Sequence, residues 1–386
     1  MLGRVGAAVG EVARASVEVG PHAGAHRVAL RAGVSVLVPL AVLVLAGRVD
    51  LTPYAAFGAM TSLYGRHHGH VDRSGMQLGA AAAFTATVGL GALAAVLPGQ
   101  HAWLVVLVGA IVAGAGQVLA DALAWHPPGS TFLVFAFCVC ASIPGLGLLD
   151  VPLALAVSAL SASFSLLVGH VGVLRDRTGY RVPTLPAMSV RTALGTPARR
   201  RWVAVVLGCA LVGGTACLLV GFEHPYWGIV AAVAALGGAD HRTRLVRAVH
   251  RAVGTVLGVL VAWPLLAAHP RGLAAVAVVC VTQIGAELFI GRNYALALLF
   301  ITPLALMMSQ LAHEQPVGPL LLDRVGSTAV GAGVSLVAVV ALLAARRTPP
   351  DRPHPRPTLS APQTRRRAAG TGEVRPGVGR RGVRRG

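Results

Sequence analysis

The sequence predicts an all-α membrane protein of about twelve transmembrane helices, in two tandem six-helix halves with both termini cytoplasmic. Three observations carry that prediction. The 386-residue chain is 55% hydrophobic and 12% charged, with a mean hydropathy of +0.70; soluble chains average about 25% charged residues. Its apolar runs are continuous rather than alternating, which excludes the strands of a barrel. Its charges gather in short Arg-rich segments between those runs.

A span needs about 20 mostly apolar residues to cross a hydrocarbon layer about 30 Å thick. Residues 1–26 contain Arg4, Glu11, Arg14 and Glu18 and no apolar core, so they are read as an amphipathic cytoplasmic segment rather than a cleavable signal. The first membrane half, 27–174, holds predicted spans at 30–47, 52–65, 76–97, 102–121, 130–148 and 152–174. No charge occurs from Ser74 to Ala120, and Pro98-Gly99-Gln100-His101 divides that stretch. Trp125-His126-Pro127-Pro128-Gly129 supplies the next turn. An Arg-rich cytoplasmic linker, 175–201, leads to the second half, 202–345, with spans at 202–221, 225–238, 250–268, 272–289, 293–312 and 325–345. The tail 346–386 carries twelve Arg against Asp351 and Glu373, is rich in Pro and Gly, and is read as disordered.

All 33 basic residues are Arg, against 14 acids, a net charge of +19. In a soluble protein that balance would suggest nucleic acid; here the Arg flank apolar spans, so the partner is the lipid bilayer. With the N-terminus inside and the spans alternating, thirty Arg fall on the cytoplasmic side and three, Arg48, Arg271 and Arg324, on the other. Such a bias identifies a multi-pass cell-membrane protein with an inside N-terminus.

The chain repeats itself. Pro53-Tyr54 opens one short span and Pro225-Tyr226 opens another 172 residues later; Gly65 and Gly237 close them, and a basic, His-containing loop follows each. Gln117 and Asp121 are answered by Gln283 and Glu287. Within the second half, Arg251-Ala-Val-Gly-Thr255-Val-Leu-Gly258 resembles Arg324-Val-Gly-Ser-Thr328-Ala-Val-Gly331. In the predicted topology these two copies start on opposite sides, as in an inverted repeat.

Several residues could carry chemistry. The i, i+4 spacing places each Gln and its acid on one helix face. A carboxylate at membrane depth is costly and faces a cavity or a partner, so Asp121 and Glu287, with Gln117 and Gln283, are candidates for proton coupling. The alternative is a helix-end acid reaching for water, paired in the case of Glu287 with Arg292. Arg244, Arg247 and Arg251 share one face entering a span; Arg251 lies deepest, and Arg251 and Arg247 are candidates for holding an anionic substrate, or else orientation anchors. The short spans run about 14 residues, about 21 Å, too short to cross alone. Short spans at matching places in two halves point to a binding site, and Tyr54, Tyr226 and Trp227 could stack on an aromatic substrate there, the alternative being an interfacial belt.

Cys138, Cys140, Cys209, Cys217 and Cys280 lie in apolar stretches without metal spacing and are read as packing. His67, His68 and His70 share a loop with Asp72 but no Cys, so no metal is assigned. There is no P-loop, GxSxG or HExxH, so neither an enzyme nor an ATP-driven pump is indicated, and no cofactor is called for.

Pro225-Tyr226-Trp227 opening a short span, the following Arg-rich loop, Arg251-x2-Gly254-Thr255-x2-Gly258, and Arg292-Asn293-Tyr294 leading to Phe300-Ile301-Thr302-Pro303-Leu304 resemble the fusaric acid resistance (FUSC-like) membrane proteins. The match is best over about 190–345; 27–175 looks like a diverged copy, with Ala55 where Trp227 stands. The resemblance implies an inner-membrane transporter exporting aromatic carboxylic acids. The expected function is therefore a secondary transporter exporting small organic anions in exchange for protons. An organic-anion channel of the same fold and a non-transporting membrane scaffold are the alternatives, and a homo-oligomer is compatible with either.

Overall fold

A computed structural model describes residues 17–345, apart from 23, 67, 98–100, 171–188 and 239. The basic tail, most of the N-terminal segment, most of the Arg-rich linker and His67 lie outside the described residues. Every regular element among the described residues is helical.

The helices are α1 (Ala25–Leu45), α2 (Thr52–Ala59, continued by a 3-10 turn Met60–Leu63), α3 (His70–Val96), α4 (His101–Ala122), α5 (Thr131–Ala141), α6 (Asp150–His170), a short α7 (Val190–Leu194), α8 (Pro197–Val220), α9 (Tyr226–Leu236), α10 (His241–Ala267), α11 (Gly272–Phe289), α12 (Tyr294–Ala312) and α13 (Val317–Ala345). Nine of them, α1, α3, α4, α6, α8 and α10–α13, are long and apolar enough to cross a membrane.

The remaining predicted spans are shorter than expected. Where 130–148 was expected, helix α5 stops at Ala141. Pro144 disfavours helical backbone at Ile143, and Gly145 adopts φ 75°. Where 52–65 was expected, the α-helix ends at Ala59 and tightens into the 3-10 turn; where 225–238 was expected, it spans Tyr226–Leu236. All eight residues of α2 and all eleven of α9 are buried. A helix apolar all round is stable only when other helices enclose it, and here α6 and α1 pack on α2 while α13 and α8 pack on α9.

Local chemistry starts these helices. Thr196 accepts the Arg199 N–H and Pro197 opens α8. Asp240 accepts the Thr243 N–H at 2.8 Å at the start of α10, and that bond holds its carboxyl below the usual carboxylate range. Asn293 caps α12 by accepting the N–H groups of Ala295 and Leu296 at 2.9 and 3.1 Å.

The inner helices approach their neighbours at glycine. A methyl at Gly58 would collide with the Ser158 carbonyl of α6, and one at Gly331 with the Gly228 carbonyl of α9. Beside these contacts, Ser161 Oγ donates to Ala55 O at 2.6 Å and Ser335 Oγ to Ala232 O at 2.7 Å.

Loop contacts mark two ends. At one, Arg48 pairs with Asp50 at 2.8 Å and Arg271 with Glu314 at 3.0 Å. At the other, Gly20 exchanges backbone and side-chain bonds with Arg292, and Asn293 Nδ2 donates to Glu18 O at 3.0 Å. Between the ends, large apolar side chains such as Leu160, Leu219, Trp263 and Val337 are exposed on the outer faces, as a bilayer requires.

Candidate functional site: a central cavity with buried arginines

The short helices α2, α5 and α9 and the long α10–α13 enclose a cavity of about 320 Å³. That is the low end of the ~300–1,000 Å³ typical of small-ligand sites. Its wall is mostly apolar and aromatic, with Phe57, Phe132, Phe135, Tyr226 and Trp227 among the lining side chains.

Two buried arginines, carried on different helices, line this wall. Arg251, eleven residues into α10, is 3% exposed; its Nη1 donates to Tyr294 Oη at 3.1 Å, and its Nε and Nη2 have no hydrogen-bond partner. Arg324, in the second turn of α13, is 1% exposed, and its Nε and Nη1 have none. Its guanidinium carbon lies 5.0 Å from the centre of the Trp227 ring. The two cations are close enough to feel each other's charge. Arg247 sits one turn before Arg251, half-buried, 4.1 Å over the Tyr294 ring, with Nε donating to Ala234 O at 3.3 Å.

A carboxylate occupies the same wall. Glu287, buried on α11, accepts from Arg66 Nη2 at 2.6 Å, and Gln283 lines the cavity one turn earlier. Arg31 of α1 is within electrostatic reach of Glu287, Arg66 and Arg73. The expectation of an Arg292 partner for Glu287 is thus corrected. Arg66 arrives from the turn after α2, whereas Arg292 is taken up by Gly20 and by the Phe289 ring.

Six of the sequence-derived site residues therefore come together at the cavity: Arg251, Arg247, Tyr226, Trp227, Gln283 and Glu287. Three do not. Gln117 Nε2 donates to Asp121 Oδ1 at 2.9 Å, as the i, i+4 spacing predicts, but neither residue lines the cavity. Tyr54 is buried in the core of the N-terminal half with no partner on Oη, while its neighbours Pro53, Ala56 and Phe57 line the cavity. Among the lining residues that sequence reasoning missed are Arg66, Tyr294 and Arg324. Placing Arg324 in an outer loop is corrected, because α13 begins at Val317 and buries it. The available signal was the recurring Arg-x3-Thr pattern: Thr255 and Thr328, one turn beyond the two arginines, are both buried with hydroxyls that lack partners.

All five Cys are buried thiols. Among the described residues no three His, Cys, Asp or Glu are grouped to hold a metal ion.

Residues 212–338, the segment that contributes α9–α12 and Arg324 to this cavity, match the family of fusaric acid resistance protein-like sequences. That segment is similar to fusaric acid resistance-like membrane proteins. Over 126 residues the chain is 33% identical to the uncharacterized membrane protein YvaC of Bacillus subtilis (strain 168), a match covering 32% of this chain and 20% of YvaC. The chain thus spans about a fifth of that relative's length. No solved structure matches. With nine helices among the described residues apolar and long enough to cross, the chain is a multi-pass membrane protein.

Proposed function

We propose that the protein is a secondary transporter that exports small organic anions, aromatic carboxylic acids in particular, in exchange for protons. One observation carries this reading: Arg251 and Arg324 are both nearly fully buried beside an aromatic-walled cavity and keep guanidinium nitrogens without partners. Buried charges are paired or they are functional. An aromatic carboxylate supplies what both parts lack, an anion for the guanidinium groups and a ring for Trp227, Tyr226 and Phe135. Glu287 supplies a proton-accepting group in the same wall, and its partner Arg66 is released when it is protonated.

Two tandem halves in one orientation fit the packing. Helix α2 lies against α6 as α9 lies against α13, with Gly58 and Gly331 at the close approaches and Ser161 and Ser335 bonding the inner-helix carbonyls. Helix α4 packs on α8 as α11 packs on α1, so each half lends one helix to the other. In this arrangement Arg48 and Arg271 are external. Reporter fusions after Arg201 should read cytoplasmic and fusions near His313 external; an external reading at Arg201 removes the six-plus-six topology.

The substrate role is tested by comparing two arginines of one helix. Arg244 donates to Gly238 O and lies 3.6 Å from the Trp202 ring, away from the cavity. Arg251→Gln should lower efflux of an aromatic acid by about 100-fold, in line with about 3 kcal/mol for a charge-assisted contact, and Arg244→Gln by less than about threefold. Equal losses would make both arginines orientation anchors.

A further inference from the structure

The charges around the cavity do not balance, and the imbalance says how many charges the occupant carries. Among the described residues, the lining holds one acid, Glu287, and Arg66 already pairs with it at 2.6 Å. The next acid is Asp323, and it is turned away. Its Oδ2 accepts both the ring Nδ1 of His224 at 2.6 Å and the His224 backbone N–H at 2.9 Å, while its Oδ1 lies 3.4 Å from Ser327 Oγ. Helices α9 and α12 bring no carboxylate. Arg247 faces no acid either, but it is only half-buried, its Nε donates to Ala234 O and its guanidinium lies 4.1 Å over the Tyr294 ring, so it is the least in need of an anion. That leaves Arg251 and Arg324, two nearly fully buried cations within electrostatic reach of each other, each with two unpartnered nitrogens; Arg324 feels the charge of Asp323, but those nitrogens have no acid hydrogen-bonded to them.

We infer that this cavity binds an organic dianion, with one negative charge for Arg251 and one for Arg324. The inference rests on the organic-anion reading above and adds the valence of the substrate. A monoanion neutralises one guanidinium and leaves the other buried and unpaired, which is the costly state for a charge out of water. A dianion satisfies both and cancels their mutual repulsion. The two arginines sit on different helices, so two separated acidic groups suit them better than one. The aromatic wall and the volume of about 320 Å³ select a single flat ring between those groups.

The test uses the purified full-length protein and three probes at constant ionic strength: benzoate, terephthalate and inorganic sulfate. Terephthalate should bind at least about tenfold more tightly than benzoate, the increment of one further buried charge-assisted contact. In Arg324→Gln that ratio should fall towards one, because terephthalate loses its second partner while benzoate keeps Arg251. Arg324→Met provides the same reading independently should the glutamine variant fail to fold. Benzoate binding as tightly as terephthalate, with a ratio unchanged in either variant, overturns the dianion assignment and leaves the organic-anion reading intact. Sulfate binding as tightly as terephthalate overturns it in favour of an inorganic-anion site. Binding of none of the three overturns the dianion assignment and the organic-anion reading together.

Discussion

Glu287→Gln should abolish efflux driven by a pH gradient while the protein still inserts and folds. The side chain keeps its shape and an acceptor for Arg66, but an amide can neither take nor release a proton. Glu287 is 4% exposed and its Arg66 partner 13%, so the substitution leaves Arg66 with no anion in a nearly closed site. Removing one member of a buried pair costs about 3–5 kcal/mol, which would confound a simple reading of activity. The Arg66→Gln/Glu287→Gln double variant removes both charges and should be at least as stable as Glu287→Gln without recovering coupling. The measurement is efflux from vesicles under an imposed pH gradient, normalised to solubilised protein. Wild-type rates in Glu287→Gln would leave this carboxylate with no part in transport. Asp121→Asn should have a smaller effect, since Asp121 is bound to Gln117 away from the cavity.

Arg324→Met should make the protein more stable and inactive at once. The guanidinium is 1% exposed, feels the like charge of Arg251, and has two nitrogens with no acceptor. Stacking near Trp227 at 5.0 Å returns part of the loss. Replacing buried, imperfectly paired charges by apolar groups of similar volume is neutral or stabilising by about 1–4 kcal/mol. Methionine matches the stem and adapts to the gap. The detergent-solubilised variant should melt several degrees above wild type, with efflux lost. An arginine kept for the fold would give the reverse, a lower melting temperature with transport retained. Stability surrendered at one residue for activity is the ordinary pattern of a binding site.

The long helices were legible because continuous apolar runs with Arg between them leave few other solutions for a chain this hydrophobic. The short ones were legible as short from Pro53, Pro225 and the glycines that follow, but their burial was not. A helix apolar on every side looks the same in sequence whether lipid or protein surrounds it, and only the packing of α6 and α13 distinguishes the two. The length of α5 was overestimated because Leu146, Leu148 and Leu149 keep the run apolar beyond Pro144, and hydropathy does not register the backbone break. Arg251 was legible because it is the last charge before an apolar stretch. Arg324 was not, because a single Arg at the head of a span reads as a flank until the helix is seen to start seven residues earlier. The Arg66–Glu287 pair joins residues 221 apart in sequence, and no local spacing carries that information.

The claim that the cavity carries an organic anion on Arg251 and Arg324 is tested most directly by counterflow. Proteoliposomes containing the purified protein are loaded with unlabelled terephthalate or benzoate and diluted into the labelled compound. Labelled anion should accumulate transiently with wild type and with Arg244→Gln, and should not accumulate with Arg251→Gln/Arg324→Gln reconstituted at equal density. Equal accumulation in wild type and the double variant, or none in wild type with either anion, would contradict the account.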